Sequence, residues 1–294
     1  MKNSVVICGF KRSPMHFANK GDLAKTRPDD MAAEVVKALI ADTGVNPDDI
    51  EDLIMGCAFP EAEQGFNIAK LVVQNADLPV SIAGATVNRF CGSSMTSIHI
   101  AAGAIQMGAG EAFICAGVES MSRIPMGGFN PLPNPALFEK YPQAYIGMGE
   151  TAENLAKKYD IKREAQEEFA FGSHKKAAAA AESGKFDDEI VPIGDVKADG
   201  TIRPDSSVEK LAELKPAFLE DGTVTAATSS PLTDGSAAVL VCSEEYADKH
   251  KLPKLARIKS VAVAGCAAEN MGICPVQDTQ KALDRAGIKL DDID

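Results

Sequence analysis

The chain has 294 residues, 30 Lys+Arg against 42 Asp+Glu, and a formal net charge of −12. A 45% hydrophobic content is too high for a disordered chain, and 24 Gly with 16 Pro are too few for a collagen-like repeat. The acidic balance and the absence of Trp argue against a nucleic-acid binder, and no run of about 20 apolar residues exists to span a membrane.

The opening Met1-Lys2-Asn3-Ser4 runs directly into an apolar segment, without the h-region and small-residue cleavage site of a secretory leader. Ser4–Gly9 (SVVICG) reads as a buried strand. Pro28-Asp29-Asp30 opens a helix whose stripe is Met31, Val35, Ala38 and Leu39, with Pro and acids suited to the first turn. Strands follow at Leu53–Phe59, Ala85–Phe90 and Glu111–Gly117, alternating with helices at Phe66–Ala76 and Gly92–Met107. The second of these helices shows Met95, Ile98, Ala102 and Ile105 on one face. Strands separated by helices of 10–15 residues predict crossover units and a mostly parallel, doubly covered sheet.

Composition then shifts. Pro125 to Pro142 holds five prolines and no periodicity, which predicts loop. Helices are expected at Glu150–Tyr159 and Arg163–Ser183, and strand-like pieces at Glu189–Ile193 and Thr223–Thr225. Ser236–Cys242 (SAAVLVC) returns to the buried-strand type, so residues 121–231 read as an insertion between two strands of one domain. An internal repeat supports a duplicated unit: Lys37-Ala38-Leu39, Gly44-Val45 and Asp48-Asp49-Ile50-Glu51 recur as Lys281-Ala282-Leu283, Gly287-Ile288 and Asp291-Asp292-Ile293-Asp294. Chance likeness of two amphipathic helices is the other explanation. A strand precedes each copy, Ser4–Gly9 in one and Ile258–Gly265 in the other.

Seven cysteines, none in CxxC spacing, predict a reduced, cytoplasmic protein with mostly buried thiols and no metal site. Cys8, Cys57, Cys115 and Cys242 fall in apolar strands, and the roles of Cys266 and Cys274 stay open. Cys91 differs, because it stands where a strand turns into a helix through Gly92. A thiol there meets the positive end of the helix dipole and free N–H groups, which favour the thiolate and can hold an oxyanion. Position alone leaves two readings, a nucleophile or a buried thiol in a small-residue turn. A base is harder to find: His99 is eight residues further on, His174 and His250 lie in polar stretches, and His16 is in an early loop.

Residues Asn88–Ser94 (NRFCGSS), Gly117–Arg123 (GVESMSR), Met148-Gly149 with Thr151–Asn154, Asp187–Pro192 (DDEIVP) and Lys215–Phe218 stand in order along the chain. Gly222–Ala226 (GTVTA), Ser229–Gly235 (SSPLTDG) and Met271–Pro275 with Lys281–Leu283 continue the series. Together they resemble the thiolase family of acetyl-CoA acyltransferases. The resemblance implies a layered αβαβα fold of the α/β class built from two duplicated halves. It gives an N-terminal domain over 1–120 and 232–252, an inserted CoA-binding loop domain over 121–231, and an opening fragment of the second half over 253–294.

The resemblance further implies ping-pong acyl transfer between 3-ketoacyl-CoA and CoA in fatty acid metabolism, through a thioester on Cys91, with coenzyme A as substrate and no covalent cofactor. By motif position, Arg203 would meet the nucleotide end of CoA, Phe218, Ala226, Ser230 and Leu232 would line the pantetheine tunnel, and Met148 the acyl pocket. The expected partners are CoA thioesters and either a second copy, as homodimer or tetramer, or a chain supplying the missing C-terminal half. Ala227-Thr228 departs from the family's Gly-Asn, Gly147 stands where some members carry His, and the later Asn, His and Cys motifs do not occur before Asp294. The chain alone is therefore expected to turn over negligibly. The alternatives are a non-catalytic truncated homologue that binds CoA or a partner, and a β-ketoacyl synthase relative of the same fold.

Overall fold

The computed structural model describes residues 4–293; Met1–Asn3 and Asp294, the last residue of the second repeat copy, lie outside them. The chain folds into two compact units. One holds the residues up to Asn130 with Phe186–Thr201 and Leu232–Lys259; the other holds Pro131–Lys185, Ile202–Pro231 and the residues from Ser260 on.

The first unit is built on one sheet. Its elements in chain order are β1 (Val5–Arg12), β2 (His16–Phe17), α1 (Pro28–Thr43), β3 (Ile50–Gly56), α2 (Ile68–Asn75), β4 (Ala83–Val87), α3 (Ser93–Met107), β5 (Ala112–Ser120), β6 (Thr233–Ser243), α8 (Glu244–His250) and β7 (Ala256–Arg257). The strand order is β4-β3-β5-β6-β1-β7, with β2 paired to β6. The β4–β3 and β3–β5 pairs are parallel, whereas β6 is antiparallel to both β5 and β1. The sheet is therefore mixed, where the sequence predicts mostly parallel. The strand that closes the insertion returns between β5 and β1 against the direction of both, and helix-strand alternation says nothing about that return.

The apolar runs are continuous because both faces are covered. Leu53, Met55, Ile114, Leu240 and Cys242 pack against Met31, Val35 and Leu39 of α1 and Ile68 and Val72 of α2. Their neighbours in the pleat, Ile54, Phe113, Cys115 and Val241, face Ala101, Ala102 and Ile105 of α3. Each such fully buried Leu, Ile or Met stabilises the fold by roughly 1.5–3 kcal/mol. Helix α1 has the Pro28 start and acidic first turn that the sequence predicts, and it stops at Gly44, which takes the left-handed conformation at φ 65°.

Helix α3 buries most of the predicted face, since Ala102 and Ile105 are buried and Ile98 packs against the core, but Met95 is exposed. In its first turns the buried positions are instead Ser93 and Ser97, continued by Ala101. Small residues allow the helix to lie close on the sheet, an advantage that outweighs the larger side chain of Met95.

The second unit contains α4 (Pro135–Lys140), α5 (Met148–Lys158), α6 (Arg163–Glu182), α7 (Val208–Ala212) and α9 (Cys274–Ala286). The proline-rich stretch thus carries a short helix, started by Pro135 and by Asn134, whose side chain accepts from the Leu137 N–H. Helix α9 matches α1 in its ends: Pro275 in the first turn, left-handed Gly287 at φ 68°, then a 3-10 turn over Leu290–Asp292 as α1 is followed by Pro47–Asp49.

Several predicted strands are not formed. Among the described residues Ile258–Gly265 makes one backbone–backbone bond beyond β7, from the Ile258 N–H to Val5 O, and its other bonds are to side chains or from its Ser260 hydroxyl; no strand lies alongside the rest of it. Glu189–Ile193 and Thr223–Thr225 make isolated bridges, Arg12 to Ile190 and Pro216 to Thr225. The expectation of uniformly reduced thiols also fails: Cys266 and Cys274 form a disulfide, their Cα atoms 6.1 Å apart across a tight turn. An eight-residue spacing gives no such signal in the sequence.

Candidate active site

Strands β3 and β4 end side by side, with Gly56 in register with Val87 and with Gly117 of β5, which runs on to Ser120. The N-terminus of α3 sits on these ends. A Cβ on Gly56 would lie 2.4 Å from the Ser94 nitrogen, and one on Gly117 would lie 1.8 Å from Ser94 Oγ. The two glycines admit the helix start to the sheet and so fix where Cys91 stands.

Between β4 and α3 the chain makes a sharp turn. Phe90 takes a positive φ of 44°, a conformation that costs an L-residue roughly 1–2 kcal/mol. Asn88 Oδ1 accepts the Phe90 N–H at 2.8 Å, and Asn88 Nδ2 donates to Ala58 O at 2.9 Å. Ser93 Oγ accepts the Arg89 N–H at 2.7 Å and donates to Phe90 O at 2.6 Å. Cys91 itself is exposed, unlike the other four free cysteines, which are buried. The buried-thiol reading of Cys91 is therefore not the one that the structure has. Burial, aided by the Glu119 charge, pushes the Cys57 thiol up to about 12, and burial pushes Cys115 up to about 12. Neither thiol ionises at neutral pH.

The GVESMSR segment supports this turn from below. Glu119 accepts the N–H of Ala58 at 2.7 Å and of Phe59 at 3.3 Å, and Gln64 Nε2 donates to it at 2.7 Å. Ser120 and Ser122 donate their hydroxyls to the fully buried Asp234 on β6 at 2.9 and 2.5 Å. Sequence reasoning finds these residues as a motif but misses their work. Two glycines in the C-terminal parts of neighbouring apolar strands, and a Glu near the end of one of them, are the signals that could have found it.

No imidazole bonds to Cys91 among the described residues. His16 is buried, bonded through Nε2 to Ala198 O at 2.9 Å and through Nδ1 to the Asp22 N–H. His174 accepts the Arg203 N–H, and His250 stacks on Tyr246. His99 lies on α3 eight residues beyond Cys91, roughly 12 Å away at about 1.5 Å per residue.

Of the predicted binding residues, Leu232 lies in the first unit with Cys91, its carbonyl accepting the Ala18 N–H. Met148, Arg203, Phe218, Ala226 and Ser230 lie in the second. All six are exposed. Within the second unit, α5 brings Met148 beside the 216–230 segment. A Cβ on Gly149 would meet the Phe218 ring at 2.1 Å, and buried Glu153 accepts the N–H of Thr223 and Val224 at 2.9 and 2.8 Å. Thr228, one of the departures from the family pattern, uses its hydroxyl to accept the Thr225 N–H at 2.9 Å.

Comparisons with known proteins agree with this arrangement. The family model "Thiolase, N-terminal domain" matches residues 5–245. The chain is 45% identical over 310 residues to the 3-ketoacyl-CoA thiolase of Bacillus subtilis, covering 100% of this chain and 79% of that protein. It is 44% identical over 301 residues to the 3-ketoacyl-CoA thiolase of Saccharophagus degradans, covering 99% and 77%. Human mitochondrial 3-ketoacyl-CoA thiolase in complex with CoA superposes with a TM-score of 0.89 at 33% identity, over 99% of this chain and 78% of that one. The Bacillus anthracis acetyl-CoA acetyltransferase gives 0.89 at 37% identity, with the same coverage.

Proposed function

The chain belongs to the thiolase family of acetyl-CoA C-acyltransferases, and we propose that it carries the acyl-accepting half of that chemistry on Cys91. The observation that supports this most is the contrast in exposure: one open thiol at a strand-to-helix turn, four buried ones. In the forward sense the Cys91 sulfur attacks the C3 carbonyl of a 3-ketoacyl-CoA. The C2–C3 bond breaks, acetyl-CoA leaves after protonation, and CoA then takes the acyl group from sulfur. The thioester divides one difficult carbon–carbon cleavage into two easier steps. The reverse sequence condenses two acetyl-CoA.

CoA thioesters are the proposed substrates, in fatty acid metabolism and in the cytoplasm, with no covalently bound cofactor. Residues 121–231 act as the inserted CoA-binding loop domain between 1–120 and 232–252, and 253–294 open the second duplicated half. Arg203 takes the nucleotide end, Phe218, Ala226, Ser230 and Leu232 line the pantetheine path, and Met148 borders the acyl pocket. The α5 contacts to the 216–230 segment support grouping Met148 with Phe218.

With no imidazole on the thiol, these 294 residues accept acyl groups slowly and turn over far below a complete thiolase. The same observation favours a second reading, a homologue that binds CoA or a partner without turnover. Self-association as a homodimer is part of the proposal. Strand β4 is a sheet edge, and Phe66 and Val80 beside it are 97% and 89% exposed. Incubation with acetyl-CoA followed by peptide mass spectrometry tests the acyl-acceptor role. An acetyl group on the Cys91 peptide supports it, and acylation confined to other residues refutes it.

A further inference from the structure

We propose that Asn88 and Glu119 are positioning residues for Cys91, joined through the backbone of Ala58 into one relay. The inference rests on the acyl-transfer reading for its purpose, and on hydrogen bonds within the first unit for its geometry.

The relay starts on β5. Glu119 projects from the end of that strand and accepts the Ala58 N–H at 2.7 Å, fixing the segment that leaves β3. The carbonyl of the same residue, Ala58, accepts Asn88 Nδ2 at 2.9 Å. Asn88, one residue beyond β4, then uses its Oδ1 to hold the Phe90 N–H at 2.8 Å. One side chain from β5 and one from the end of β4 thus clamp the residue directly before the nucleophile.

The clamp acts against a real strain. Phe90 has φ 44°, which neither glycine nor a β-turn Asn supplies here, so the turn relaxes unless its polar groups are held. The hydroxyl of Ser93 holds the other side of the turn, through the Arg89 N–H and Phe90 O. Gln64 secures the Glu119 carboxylate from behind and also accepts the Ser120 N–H at 2.7 Å. The carboxylate is therefore not free to swing away from Ala58. An exposed thiol is held by fewer packed neighbours than a buried one. Its place is set by the neighbouring backbone, and a displacement of ~1 Å at a reacting atom can cost about 100-fold in rate.

The relay makes a prediction that a purely local turn does not. Glu119 touches neither Cys91 nor Phe90, yet loosening it should free the Phe90 amide. Asn88→Ala, Asn88→Asp and Glu119→Gln would be compared with the unaltered chain in two measurements. One is residue-resolved hydrogen exchange at the Phe90 amide; the other is the rate of acetyl transfer from acetyl-CoA to Cys91, with melting temperature as the check on folding. We expect Phe90 exchange to rise about tenfold or more in Asn88→Ala, and severalfold both in Glu119→Gln and in Asn88→Asp, which keeps the acceptor for Phe90 but loses the donor to Ala58. Acetyl transfer should fall by roughly tenfold in Asn88→Ala and be partly restored in Asn88→Asp.

Unchanged Phe90 exchange in a folded Glu119→Gln chain overturns the relay. Acetyl transfer within about twofold of normal in Asn88→Ala overturns the positioning role, as does a fall in rate that merely follows a lost folded fraction. If the unaltered chain takes no acetyl group at all, the acyl-transfer reading fails, and the exchange measurement still decides the relay by itself.

Discussion

Gly56 at the end of β3 approaches Ser94 at the start of α3 so closely that an added methyl would stand 2.4 Å from the Ser94 nitrogen and 2.6 Å from the Ser93 carbonyl carbon. Gly117, in register with Gly56 on β5, meets only the Ser94 side chain at its closest, at 1.8 Å from Oγ and 2.9 Å from Cβ. The two glycines therefore predict different costs. Backbone cannot move aside as a hydroxyl can, so Gly56→Ala should destabilise by about 3 kcal/mol and Gly117→Ala by about 1 kcal/mol. Ser94→Ala should relieve part of the second loss and none of the first. Urea unfolding of the single and double variants measures all three values.

Arg12 and Asp199 give a pH-dependent contribution to the first unit. Arg12 donates to both Asp199 oxygens at 2.7 and 2.8 Å, and Met15 N–H donates to the same carboxylate at 2.8 Å. Burial opposes ionisation of Asp199, but these bonds and the guanidinium charge prevail and hold its carboxyl below the usual value near 3.8. A carboxyl depressed in the folded state contributes stability above its unfolded value, and the contribution disappears as pH falls through the folded value. Asp199→Asn should cost about 2–3 kcal/mol at neutral pH, with the gap to the unaltered chain closing only below about pH 4. Denaturant titrations at neutral pH and at successively lower pH test the sign.

Glu153 should matter to the 216–230 segment more than to the fold as a whole. It is buried, and it is the acceptor for two consecutive N–H groups, those of Thr223 and Val224, and for the Thr223 hydroxyl. Glu153→Ala leaves these donors without a partner, a loss of about 2–3 kcal/mol in stability. Under the proposed role of Phe218 and Ala226, CoA affinity measured by calorimetry should fall about tenfold or more.

Thiol reactivity should be sharply uneven. Among the five free cysteines Cys91 is exposed, while Cys8, Cys57, Cys115 and Cys242 are buried. A small alkylating agent on the folded chain should label one thiol quickly, and Cys91→Ser should remove that phase. The other four should react only on the timescale of unfolding. Time-resolved peptide mapping reads the order of labelling directly.

Much of this architecture could be read from the residues, and the failures have physical causes. Helix α1 was legible at its start, because Pro28 has a backbone role that does not depend on neighbours. The mixed direction of the sheet was not, since the place of β6 between β1 and β5 is decided by tertiary pairing. The same holds for Ile258–Gly265, whose β-branched composition forms no strand without a ladder beside it. At the site, Cys91 stood out through its strand-to-helix position. Asn88 and Glu119 did not, because their importance lies in bonds across three strand ends that no spacing rule encodes. The Cys266–Cys274 disulfide was hidden for a similar reason, being set by a turn geometry and not by a motif.

The most direct test is mass spectrometry of the chain after incubation with acetyl-CoA, with peptides mapped residue by residue. The account predicts one acetyl group, on Cys91, absent in Cys91→Ser and released when free CoA is added. A folded chain whose Cys91 stays unmodified while the acetyl group appears on other residues, or nowhere, would contradict it.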